Sequence, residues 1–582
     1  LLVAGLVRAG PGAGQDAPRS LLPPGFDAPA AAPAAPTPIL PGTNPEPAAD
    51  APPALSPLLS GSVPGTAPPP AAPDPFAARR LLPPGAPIGL FNPRPGDVTA
   101  FAGSDGRVLA ALANRITAPI ASRWAMITLR SALLARVSGP AGINDGDWVA
   151  ARAGLLLRLG EADGARRLID ALPGERFTPA TYRVAAPVSL AAVDLAGLCP
   201  IAATGRALSP SSLWDLAFAM CAGMEGDDIT AASLIDVLRN QPQRVAAFDV
   251  RLASRVAVLA GGAGRAEGIS WQEIDGLTLF QYGVASAAGV QVPADRLAAL
   301  GPAHAGWAAR NANLPPAVRL ALLRRAAALG SLSAGDLASG VAALAPADAG
   351  GGFADDSRAG RLREAFTAGS PAARAAALAA IRADVAPGED PYGALLETAT
   401  AARALKPAAE LADAAPEIIA ALLAMGEAKA ALAWWPVARE ADDDARLRAW
   451  AVLAAGAGGV PVDAATFKDW QSSAKPSDHA AGIVLAALSG LGQAQGSGWN
   501  GPKRDLIPVV SNRWTAAIRA AGQRRAGGEV ALLAATGLQT TPKGGWADVP
   551  PAHVQAIVAA LVASGRVAEA RRFAAEAVTR AR

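Results

Sequence analysis

The stretches 156-LLRLGEADGARRLIDAL-172 and 220-MCAGMEGDDITAASLIDVL-238 decide the fold. Gly160 aligns with Gly226, and Leu168-Ile169-Asp170 and Leu234-Ile235-Asp236 follow each glycine at the same distance. In both, an apolar helix ends at the glycine, a short acidic turn follows, and a second helix begins with alanine at its contact point. Glycine suits the left-handed residue that closes a helix, and acids favour the positive N-terminus of the next one. The pattern predicts an antiparallel helix hairpin, written twice.

Asking for glycine, alanine at +5 and a large apolar residue at +8 finds further copies. Gly565 satisfies it with Ala570 and Phe573 in SGRVAEARRFAAEAV, and Gly426 with Ala431 and Trp434 in LLAMGEAKAALAWW. Gly330, in LLRRAAALGSLSAGDLASGVAAL, fits loosely. Gly160, Gly226, Gly426 and Gly565 are separated by 66, 200 and 139 residues, near two, six and four units of roughly 33 to 35. A two-helix unit of that length resembles the tetratricopeptide repeat. The resemblance covers four clear hairpins, and the family's tyrosine is missing: Tyr182, Tyr282 and Tyr392 all lie outside them. It implies a superhelical scaffold whose concave face binds peptides or proteins. Each hairpin has an apolar face it cannot bury alone, so neighbours must stack. The expected fold is therefore all-α: a right-handed α-solenoid of antiparallel helix hairpins over residues 96–582, of one section or of two divided near Gly350 to Gly352.

Composition agrees with helices. Hydrophobic residues make up 51% of the chain but aromatic ones only 5%, and charged residues 17%, against a usual charged share of about 25%. Alanine and leucine dominate, and both favour helices. Lys and Arg total 52 against 49 acids, a net charge of +3. So small an excess gives no electrostatic footprint for nucleic acid. No segment supplies the roughly 20 uninterrupted apolar residues of a transmembrane helix.

The opening, LLVAGLVRAGPGAGQDAPRS, resembles the tail of a secretory signal whose charged front is missing, over residues 1–16. It predicts an exported, periplasmic protein; a cytoplasmic protein with a different start is the alternative. Residues 17–95 hold 24 of the 51 prolines. Each proline removes a donor and fixes φ, so this Pro/Ala-rich segment is expected to be a disordered, extended linker.

Cys199 and Cys221, the only cysteines, are 22 residues apart. In an oxidising compartment they predict a disulfide; in a reducing one, two buried thiols. Cys221 lies well inside its helix, so bridging requires the intervening residues to fold back along it.

Chemistry is sparse. His304, His479 and His553 are scattered and lack metal-ligand spacing. Asp478-His479 has no accompanying nucleophile elbow. Val256 to Gly268, VAVLAGGAGRAEG, spaces Gly262, Gly264 and Gly268 one residue too widely for a dinucleotide fingerprint. Glu440 with Asp442 to Asp444, and Glu225 with Asp227 and Asp228, read as acids at helix starts rather than calcium loops. No cofactor or metal is expected.

One region departs from the alanine pattern. GSGWNGPKRDLIPVVSNRWTAAIRAAGQRR, from Gly496, gathers Trp499, Lys503, Arg504, Arg513, Trp514 and Arg519. Tryptophan and arginine are favoured interface anchors, so these six residues are the candidate partner-binding surface. The sequence thus predicts a non-enzymatic scaffold or adaptor for protein or peptide partners in the bacterial cell envelope. The alternative is a divergent envelope hydrolase of the cell-wall glycan class, which would need two carboxylates roughly 5 to 9.5 Å apart in a cleft.

Overall fold

A computed structural model describes residues 86–93, 100–101, 103–261, 267–346, 352–541 and 544–581. The expected signal remnant 1–16, most of the linker 17–95, and Gly262, Gly264, Gly350 and Gly351 lie outside the described residues. All described residues belong to the compact unit Pro73–Arg582.

Every regular element among them is helical; β pairing is limited to isolated bridges. The fold is all-α, built from packed helix pairs. Asp145–Arg158 packs on Ala162–Asp170, Ser212–Met224 on Asp228–Arg239, Ala415–Ala424 on Ala428–Leu432, and Pro551–Ala563 on Val567–Arg580.

The joint of each pair is the same. Gly160, Gly226, Gly426 and Gly565 have φ of 86, 83, 84 and 83°, and Gly330 has 89°. The glycine N–H bonds back three residues and the following N–H five: Gly160 to Leu157 O at 3.1 Å with Glu161 to Leu156 O at 2.9 Å, and Gly565 to Val562 O at 3.0 Å with Arg566 to Leu561 O at 2.9 Å. This is the Schellman closure, which satisfies carbonyls a helix end would otherwise strand. In two joints the next residue caps the second helix, Glu161 accepting from Gly164 N and Asp227 from Thr230 N. The contact alanines Ala165, Ala231, Ala431 and Ala570 are all buried, as are Leu168, Trp434 and Phe573 at +8. Leu234 is only partly buried; Ile235, one residue on, takes the inward position in that copy.

Two features depart from expectation. Packing reaches back beyond residue 96: Ile88 is buried, Leu90 N donates to Leu134 O at 2.8 Å, and Arg152 Nη2 to Ile88 O at 3.0 Å. Residues 86–91 therefore belong to the packed unit and not to a linker, because the end of the Arg123–Leu134 helix and a buried guanidinium offer their backbone partners.

In a solenoid each repeat touches only its neighbours. Here the early helix Arg123–Leu134 also packs on Gly527–Gly537 and Val567–Arg580. Ala121 N donates to Leu538 O at 3.0 Å and Thr540 N to Pro119 O at 2.9 Å. The core shows the same closure. One buried cluster runs from Ile88 to Val188 and takes in Ala531, Leu532 and Ala535. Another covers Ala309 to Val578 and takes in Ala121, Trp124 and Ala125. A third, Ala162 to Leu314, lies between them in sequence.

Candidate functional site

The closure is built around a buried carboxylate. Glu576, on the last helix, is 1% exposed and sits at the N-terminus of Arg123–Leu134. It accepts from Ser122 Oγ at 2.6 Å, Arg123 N at 2.7 Å and Trp124 N at 2.8 Å. Free N–H groups and the helix dipole make that end a natural seat for negative charge. Arg580, one turn on, bonds Glu576 at 2.9 Å, reaches Asp390, and lies 4.7 Å over the Tyr392 ring. Burial alone would lower the Arg580 pKa, but Asp390 and Glu576 outweigh it and hold it above its ordinary value. Burial and then Glu576 push the Tyr392 phenol well above the usual range, and its hydroxyl has no hydrogen-bond partner among the described residues.

Arg123 faces the other way. Its Nε donates to Ala327 O at 2.9 Å and its Nη1 to Ala424 O at 3.3 Å, gathering the carbonyl ends of two helices. Burial lowers its pKa. A second buried knot joins Glu397, fully inaccessible, to Arg324 Nε at 2.7 Å and Arg358 Nε at 3.0 Å. Both knots tie helices together and leave no open carboxylate pair.

Cys199 and Cys221 form a disulfide with Cα atoms 5.3 Å apart. The residues between them fold back as required, but as a helix, Cys199–Leu208, turned at 209–211 onto Ser212–Met224.

The partner-surface residues divide. Trp499 is 3% exposed and packs on Phe467 at 5.6 Å. Trp514 donates to Leu533 O at 2.8 Å and stacks on His553 at 4.3 Å. Lys503 Nζ donates to Ala494 O at 2.6 Å. Trp499 is therefore core and not a surface anchor, which corrects the sequence reading for that residue, while Lys503 and Trp514 are partly buried with their N–H groups on backbone carbonyls. Arg504, Arg513 and Arg519 are exposed, Arg504 beside Asp505 at 3.0 Å.

The histidines serve structure. His304 Nδ1 meets Gly301 O at 2.6 Å, His479 Nε2 meets Trp546 O at 3.1 Å, and His553 Nδ1 meets Gly537 O at 2.9 Å. Burial lowers the His304 pKa. Asp442 and Asp227 are helix caps, while Asp443 and Asp444 pair with Arg446 and Arg448. Asp249 has its pKa raised by burial, but its partner is the Gln281 amide at 2.8 Å and not a second carboxylate. Among the described residues no group of three His, Cys, Asp or Glu could hold a metal ion. None of their helices is long and apolar enough to cross a membrane.

A cavity of about 260 Å³ opens where residues 117–120, 157–159 and 300–303 meet. Its lining is mainly apolar, and its one charged side chain, Arg158, is spent on Ile116 O at 2.9 Å and Ala113 O at 2.7 Å.

Sequence reasoning missed both ionic knots. Glu576 lies in FAAEAVTR with no spacing that separates it from an exposed helix acid; its only trace is its place within an otherwise apolar stripe. The chain matches no known family, and no curated protein or solved structure is significantly similar to it.

Proposed function

We propose that the chain is a non-enzymatic adaptor of the bacterial cell envelope: a right-handed α-solenoid of antiparallel, tetratricopeptide-like hairpins whose late helices also pack back on an early one, exported and carrying a Pro/Ala-rich leader. The observation that supports it most is how the buried charge is used. Glu576 and Glu397 are held by arginines and helix ends, and Glu161 and Asp227 cap helices at two of the hairpin joints. Such an arrangement fixes helices relative to one another and leaves these carboxylates engaged in structure. A glycan hydrolase would need a raised acid facing a second carboxylate, and Asp249 faces an amide.

The binding surface we favour is the exposed part of the 496–525 region. Arg504 stands on the helix Asn500–Leu506 and Arg513 and Arg519 on Arg513–Gln523, anchored by Trp499, Lys503 and Trp514, and Val509 in the connection 507–512 is 97% exposed. Exposed arginines on two successive helices with an exposed valine in their connection suit an acidic protein segment.

The test is mild crosslinking and affinity capture of the tagged full chain from its native cells, beside the variant Arg504→Glu/Arg513→Glu/Arg519→Glu. The reading expects envelope partners in near-stoichiometric yield, lost from the variant while its helicity and melting temperature hold. Equal capture by both would remove this surface. An absence of partners, or a cytoplasmic location on fractionation, would defeat the envelope adaptor.

A further inference from the structure

Besides its disulfide, the helix Cys199–Leu208 is held by two small buried residues, a partly buried Ile201 and Arg206 over the Phe218 ring at 5.5 Å. Of its ten residues only Ala202 and Gly205 are buried. Gly205 lies flat on Trp214, where a Cβ would come 2.7 Å from the indole ring. The helix has no side-chain N-cap, and Leu208 in its last turn is 49% exposed. Its one ion pair, Arg206 with Asp215 at 2.7 Å, is half open to water on the arginine side. A ten-residue helix is marginal by itself, and two small buried residues with a half-buried Ile201 bury only a small apolar area against the core.

Its partner helix is different. Ser212–Met224 buries Trp214, Leu216, Ala217, Ala219 and Met220 and packs independently on Asp228–Arg239 and Ala247–Leu259. The two sulfurs are unequal too: Cys221 is 4% exposed, whereas Cys199 is only partly buried.

We propose that the Cys199–Cys221 disulfide is a redox latch, whose reduction frees the Cys199–Leu208 helix and uncovers Trp214 while the rest of the unit stays folded. A dithiol reductant enters at the more accessible Cys199. One thiolate attacks its sulfur, the Cys199–Cys221 bond breaks, and Cys221 leaves as a thiolate and takes a proton. The reductant's second thiolate then attacks the mixed disulfide and releases Cys199. The reductant ends as a disulfide and the protein as two thiols.

Hydrogen exchange with mass spectrometry on the full chain, with and without excess dithiothreitol, tests this, with the thiol count read by alkylation. Amides of 199–208 should exchange at least about 100-fold faster after reduction, with those of 443–456 and 567–580 changed less than about threefold. Cys199→Ala/Cys221→Ala should reproduce the reduced pattern without reductant. The latch is overturned if the native protein yields no alkylatable thiols under excess reductant. It is equally overturned if 199–208 stays protected in the reduced or doubly substituted protein, or if protection is lost throughout the unit.

Discussion

Gly426 and Gly565 show how one residue type carries two burdens. Both sit near φ +84°, where an L side chain costs roughly 1–2 kcal/mol. At Gly565 nothing lies within reach of a Cβ, whereas at Gly426 a Cβ would come within 2.9 Å of Arg572 Nε and 3.1 Å of the Trp124 ring. Gly565→Ala should therefore lower stability by about 1 kcal/mol and Gly426→Ala by clearly more, measured by urea unfolding. Tyr392→Phe should go the other way. It removes a buried hydroxyl that has no hydrogen-bond partner among the described residues and keeps the ring beneath Arg580, so stability should be unchanged or higher by up to about 1 kcal/mol. At His304 burial favours the neutral ring. Its contribution is present above the unfolded pKa of about 6.5 and is lost as pH falls through the lowered folded value. Melting temperature should fall between pH 6.5 and 5, less steeply in His304→Gln.

Among elements, helix pairs were the part most open to sequence reading. A glycine closure fixes the end of one helix and an acid the start of the next, both local requirements written in consecutive residues. The Cys199–Leu208 helix was not legible in the same way. CPIAATGRAL holds a proline, a glycine and a threonine and reads as a loop, and only its seat on Trp214 and the disulfide at its start keep it helical. Closing a 22-residue loop is worth about 3 kcal/mol. Cys199→Ala/Cys221→Ala should thus lose most of that free energy on global unfolding, read by calorimetry in parallel with the exchange at 199–208.

For the whole molecule the decisive contacts join residues more than 400 positions apart. Glu576 fastens the last helix to the first turn of Arg123–Leu134 through Ser122 Oγ and two backbone N–H groups. Removing one partner from a buried charged network costs about 3–5 kcal/mol, since the others remain buried and unpaired. Glu576→Ala should lose that much. It should also raise exchange at 123–126 and 567–580 together, because the two helices share the contact. Loss confined to 567–580 would show that the ends are not coupled.

The sequence by itself determined an all-helical chain of glycine-closed pairs, because helix period, left-handed glycine and capping acids each act within a few residues. It also marked which cysteines could meet. Tertiary structure alone decided that the early and late helices pack together, that Trp499 and Trp514 turn inward, and that Glu576 and Glu397 are buried. The physical reason is the same in each case. An acid or an indole has the same local preferences on an exposed or a buried helix face, and only a partner from a distant segment settles which side it takes.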